Sequence, residues 1–137
     1  MFITGGATGI GAALVEAFAS QGARVFFNDI LEVEGTQLDE RTGGDVHFVT
    51  CDVTQADALK ESVDGAARAL GGLDILINNV ANDQRQVFDE IDAHEWRRNL
   101  AVNLDPVFLS TSAVIPHLRR AGGGAVINMS SLNALLG

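Results

Sequence analysis

Gly5-Gly6-Ala7-Thr8-Gly9-Ile10-Gly11 stands between an apolar strand, Met1 to Thr4, and a stretch whose apolar residues Ile10, Leu14, Val15 and Phe18 recur at helical spacing up to a stop at Gly22. In that setting the glycines have physical work to do. Glycine lets the chain turn sharply off the strand, and missing side chains let backbone approach a pyrophosphate. The helix start then presents free N–H groups and a positive dipole end. A tight turn with no ligand is the alternative, and the strand–turn–helix context argues against it.

Working outward, residues 24–28 form a second strand and a polar helix covers roughly 31–41. His47 to Val53 is a third strand. Thr54 and Asp57 resemble a capping box for a helix marked by Leu59, Val63, Ala66, Ala67 and Leu70, which Gly71 and Gly72 end. Leu73 to Asn78 is a buried-type strand. Asp92 to Glu95 opens the longest helix, running to about Arg120, with Trp96, Leu100, Leu104, Phe108, Ile115 and Leu118 on one side. Pro106 falls inside it and bends it. Gly122-Gly123-Gly124 break it, and Ala125 to Met129 is a fifth strand. Strand–helix alternation with near-continuous apolar strands predicts an α/β fold with a doubly wound parallel sheet.

The chain has 137 residues, one domain's worth. Nine Lys+Arg against 18 Asp+Glu give a net charge of −9, which repels phosphate backbones and anionic lipid and argues against nucleic-acid and membrane partners. Hydrophobic residues make up 47%, enough for a sizeable core. No apolar run reaches a membrane span. Cys51 is alone, so no internal disulfide forms, and the composition suits a cytoplasmic location. His47, His94 and His117 lie far apart without ligand spacing, so no metal site is expected. His94 and His117 read as helix-surface residues.

Thr4-Gly5-x-x-x-Gly9-x-Gly11 resembles the fingerprint of the short-chain dehydrogenase/reductase family, and further stations match in order along the whole chain. The resemblance implies a Rossmann fold over residues 1–137 and cofactor contacts from Gly5, Thr8, Gly9, Ile10 and Gly11. Asp29, at the end of strand two, can accept hydrogen bonds from the adenosine ribose and repel a 2′-phosphate. No Arg or Lys lies in the glycine loop or just after Asp29, so NAD rather than NADP is implied. The alternative is that Asp29 caps the next helix. Asp52 and Val53 correspond to the family's Asp-Val pair at the adenine edge, and a strand-end turn with Thr54 as cap is compatible with that. Asn78-Asn79-Val80-Ala81 corresponds to Asn-Asn-Ala-Gly. Asn79 would touch the cofactor ribose and tie strands together, and Ala81, replacing glycine, needs a negative φ.

Two catalytic stations follow from the same resemblance. Asn103, in Val102-Asn103-Leu104, fits the family's helix asparagine better than Asn99, one turn away. Ser131, in Asn128-Met129-Ser130-Ser131, fits the serine better than Ser130. The implied mechanism has the serine orient the substrate oxygen and the asparagine hold a water of a proton relay. A tyrosine about a dozen residues later acts as general acid/base, its pKa lowered by a lysine four positions beyond it. This chain has no tyrosine, and its single lysine, Lys60, lies on the third helix. The expectation is therefore the cofactor-binding front half of an NAD-dependent alcohol/carbonyl oxidoreductase, inactive alone, its sheet incomplete on the C-terminal side.

Three consequences follow. Strand five would be an unprotected edge, and the apolar side of the long helix would be exposed. Family members often pair through that helix, so a homo-oligomer is implied at full length. Asp83 and Arg85 resemble an Asn-Asp-x-Arg stretch of sugar dehydrogenases in the family, or are plain loop and cap residues. The competing functional reading is a stand-alone dinucleotide-binding or sensing module. Tyr-x-x-x-Lys encoded past Gly137 separates the two.

Overall fold

Strand β1 (Phe2–Thr4) is buried along its length, and its alternating side chains feed two separate cores. Phe2 joins Leu59, Val63, Ala66, Leu76 and Val114 on one face. Ile3 joins Val15, Val25, Phe27, Leu38 and Ile77 on the other. A central strand buried on both sides is what a sheet covered by helices on each face requires. The computed structural model describes residues 1–132.

The remaining elements are α1 (Gly9–Ser20), β2 (Val25–Asp29), α2 (Glu32–Thr42), β3 (Val46–Thr50), α3 (Ala56–Leu70), β4 (Ile75–Asn78), α4 (Ala93–Asn103), α5 (Asp105–Arg120) and β5 (Ala125–Asn128). A single 3-10 turn, Phe88–Glu90, precedes α4. The sheet is parallel throughout, in the order β3-β2-β1-β4-β5. The order reverses between β1 and β4, so the chain leaves these neighbours toward opposite faces and opens a crevice at their carboxyl ends. The doubly wound parallel sheet is as expected, and β5 is its exposed edge among the described residues.

Several sequence expectations need correction. The helix of 92–120 is two helices broken at Leu104, because Pro106 sits in the first turn of α5 and not inside a helix. Lacking an N–H, Pro106 cannot bond Val102, while a first turn has no need of that donor. The break also redirects the apolar faces. Pro106, Ser110 and Val114 face the sheet, whereas Trp96, Leu104 and Phe108 are exposed. The capping box at Thr54 does not form. The N-cap of α3 is Gln55, without a side-chain bond, and the Thr54 hydroxyl and N–H both donate to Asp52. A capping box is found instead at Asp92 and Glu95, and it holds the Asp92 carboxyl below its usual range through the Glu95 and His94 backbone N–H groups. His117 is not a free surface residue: it is largely shielded and sits 2.6 Å from Asp64 of α3.

Candidate functional site

All five strands are parallel, so their carboxyl ends open at one edge of the sheet. That edge collects the turn after β1, Asp29 after β2, Asp52 and Val53 after β3, Asn79 to Ala81 after β4, and Ser131 after β5. Local chemistry shapes each station.

The turn after β1 depends on glycine at four points, among them Gly6, where a Cβ would stand 2.6 Å from the Phe27 ring. Gly5 has φ +66°, and a Cβ there would stand 2.8 Å from Val80 Cγ2. At Gly11 a Cβ would overlap the Gly5 carbonyl oxygen and come 2.7 Å from Asn79 Nδ2. Gly9, with φ +56°, faces open space, with nothing within 4 Å of where its Cβ would be. Thr8 is the N-cap of α1 but forms no side-chain cap bond, and Thr8, Gly9 and Ile10 are exposed. The first N–H groups of α1 therefore point, with the positive end of the helix dipole, toward open space.

The loop is braced from β2. The Gly6 N–H donates to the Asn28 carbonyl at 3.0 Å, and the Ala7 N–H donates to Asp29 Oδ2 at 3.0 Å. The other carboxylate oxygen of Asp29 accepts from the Leu31 N–H at 3.1 Å. Asp29 is buried and does not cap α2, whose N-cap is Leu31. Each carboxylate oxygen has one backbone donor here and retains a lone pair. Cys51, which extends the ladder to Asp29, has its thiol pushed up by burial, an effect opposed by the Asn28 amide and reinforced by Asp52.

Thr4, which the sequence reading assigned no role beyond the motif, fixes β4 to this turn. Its Oγ1 accepts from the Asn79 N–H at 3.1 Å and the Val80 N–H at 3.3 Å. Asn79 Nδ2 returns bonds to the carbonyls of Gly5 (2.8 Å) and Thr4 (3.2 Å). Asn79 thus ties β1 to β4, as expected of it. Ala81 is exposed and does not have a positive φ, as its Cβ requires. Val53 is buried beneath exposed Asp52.

Asn103 is the last residue of α4. Its Oδ1 accepts from the Asn82 N–H at 2.7 Å, and its Nδ2 donates to the Asn82 carbonyl at 3.1 Å. Asn99 reaches Gln86 instead. At the break the Val107 N–H turns to Leu104 O at 3.1 Å, one residue short of the α-helical partner Asn103. Pro106 likewise gives nothing to Val102, so at the break the Val102 and Asn103 carbonyls lose their ordinary α-helical donors. Ser130 and Ser131 are exposed past the end of β5. Asp83 and Arg85 are exposed on the loop that Asn103 grips, and exposed Lys60 pairs with Asp64 on α3 rather than joining the carboxyl-edge stations.

This edge carries an open helix N-terminus, a carboxylate one strand away, and hydroxyl and amide groups beyond it. The model of the family described as short chain dehydrogenase matches residues 1–137. The chain belongs to the short-chain dehydrogenase family. It is 43% identical over 140 residues to a probable galactose dehydrogenase of Rhizobium meliloti, covering 99% of this chain and 55% of that protein. It is 39% identical over 135 residues to a 3-alpha-(or 20-beta)-hydroxysteroid dehydrogenase of Mycobacterium tuberculosis, covering 98% of this chain and 52% of that protein. Among solved structures, a mutant short-chain dehydrogenase/reductase of Serratia marcescens superposes with a TM-score of 0.89 at 33% identity, covering 97% of this chain and 55% of that one. The chain spans about half the length of the short-chain dehydrogenases it matches. Among the described residues, no helix is long and apolar enough to cross a membrane, and no group of three His, Cys, Asp or Glu is placed to hold a metal.

Proposed function

We propose that the chain binds a nicotinamide dinucleotide across the carboxyl edge of the sheet, as the cofactor-binding portion of an alcohol/carbonyl oxidoreductase. The observation that carries this reading is the uncapped, solvent-open start of α1 on a glycine turn that tolerates no Cβ at Gly5 or Gly11. Gly5, Thr8, Gly9, Ile10 and Gly11 would receive the diphosphate on backbone N–H groups. Asp29 would accept the adenosine ribose hydroxyls with its remaining lone pairs, and Asp52 with Val53 would border the adenine. Asn79 and Ala81 would border the nicotinamide half. NAD supplies hydride transfer at its nicotinamide.

We infer a preference for NAD over NADP. A 2′-phosphate would approach the Asp29 carboxylate, and neither residues 5–11 nor residues 30–40 contain an Arg or Lys to offset that repulsion. Ser131 would orient the substrate oxygen. Asn103 has its side-chain amide engaged by Asn82, so a relay water would be held by the carbonyls freed at the helix break. No tyrosine is present to act as general acid/base, so these 137 residues bind the dinucleotide and leave hydride transfer to a protein that supplies one. Titration calorimetry with NAD and NADP tests the reading. At least tenfold tighter binding of NAD is expected, on the order of 1.4 kcal/mol; equal or tighter binding of NADP removes Asp29 from the site.

A further inference from the structure

We propose that Ser110 is a positioning residue for the nicotinamide side of the site, acting through Asn78; this rests on the dinucleotide reading above. Ser110 is fully buried on the sheet-facing side of α5. Its Oγ lies 2.6 Å from Asn78 Oδ1 and 2.6 Å from the Pro106 carbonyl. One hydroxyl proton faces these two close acceptors and, at 3.4 Å, the Val107 carbonyl, and the needs of the two close ones differ. The Pro106 carbonyl lies four residues back along α5, where the Ser110 N–H is its ordinary helical donor. Asn78 Oδ1 is buried and receives no other donor among the described residues. The proton therefore belongs on Asn78, because an unsatisfied buried acceptor is the costlier outcome.

With its oxygen held, the Asn78 amide points Nδ2 across the sheet to Asn128 Oδ1 at 2.9 Å, with Thr111 Oγ1 at 3.5 Å. Asn78 and Asn128 are register partners of β4 and β5, and the Asn78 carbonyl accepts the Met129 N–H at 2.9 Å. One amide thus links β4, α5 and β5 at the point where both strands leave the sheet. The next residue on β4 is Asn79, and β5 runs on to Ser131. Ser110 sets how these two exits sit relative to each other. The adenine side does not depend on it, because Asp29 is held by Ala7 and Leu31 and Asp52 by Thr54.

The test titrates the chain with NADH and separately with AMP, comparing Ser110→Ala and Asn128→Ala with the parent. Asn128 lies on exposed β5, so its truncation spares the core. Ser110→Ala is expected to weaken NADH binding about tenfold and Asn128→Ala about threefold, with AMP affinity within about twofold of the parent for both. Side-chain amide signals of Asn78, slow to exchange in the parent, are expected to lose protection in Ser110→Ala. Unchanged NADH affinity, or equal loss of NADH and AMP, overturns the proposal while leaving the dinucleotide reading intact. A parent chain that binds neither compound overturns both.

Discussion

Asn103 holds Asn82 by both halves of its amide, accepting the Asn82 N–H at 2.7 Å and donating to the Asn82 carbonyl at 3.1 Å. The last residue of α4 thereby fixes the loop that follows β4, and only a side chain with a donor and an acceptor side by side can make both bonds.

Replacing Asn103 is expected to release this loop. Asn103→Ala should cost about 1 kcal/mol of stability, because both partners at Asn82 regain water, and Asn103→Asp should keep the contact to the Asn82 N–H alone. Hydrogen exchange at the Asn82 amide should rise at least tenfold in the alanine variant. Unaltered exchange there would show that the clamp does not hold the loop.

Gly11→Ala is expected to abolish dinucleotide binding, because its Cβ would overlap the Gly5 carbonyl oxygen and force α1 away from the turn. The misfit should also cost about 1–3 kcal/mol in urea unfolding. Gly9→Ala separates fit from strain. Its Cβ meets nothing, so the folding cost is only the strain of a positive φ, about 1 kcal/mol. Loss of binding there should exceed what that strain explains.

Asp29→Ala is expected to weaken NAD binding more than NADP binding, which would narrow or erase the preference. It also leaves the Ala7 N–H without its acceptor, at about 1–3 kcal/mol. Asp29→Asn keeps one acceptor oxygen and should lie between parent and alanine in thermal unfolding. An alanine variant as stable as the parent would mean that the glycine loop stands without its brace.

Stability should carry an acid-side dependence from Asp64. Its carboxyl is held below the usual range by hydrogen bonds first from Lys60 and then from His117. A depressed folded-state pKa means the stabilisation is complete above the unfolded value of about 3.9 and is lost as pH falls through the lower folded value. The difference in unfolding free energy between parent and Asp64→Asn should shrink as pH falls from about 5 to below about 4. Lys60 is solvent-exposed and its bond is screened by salt, so the shielded His117 contact should account for what persists in high salt.

The elements and their order were legible because each leaves a local record. β-strands read as unbroken apolar runs, α1 and α3 as periodic ones, and the glycine turn as residues only a tight approach explains. The α4–α5 junction was misread because Trp96, Leu104 and Phe108 keep helical spacing across a break, and periodicity reports spacing without saying which side meets the sheet. Pro116 sits inside α5 while Pro106 begins it, so a proline alone does not mark which is the boundary. His117 looked like a surface residue because its partner, Asp64, belongs to another helix 53 positions away.

From the residues alone came the parallel α/β sheet and the glycine turn at Gly5–Gly11, both of them consequences of short-range sterics and hydrophobic pattern. Only the packed chain decided that Asp29 braces Ala7, that Thr4 and Asn79 lock β1 to β4, that Asn103 serves Asn82, and that Ser110 supplies Asn78 with its donor. Those bonds join groups 21 to 75 residues apart. The exposed Asn103–Asn82 pair needs only α4 packed beside the loop, whereas the others arise where burial removes water as the competing partner, a condition that exists only after the helices have closed over the sheet.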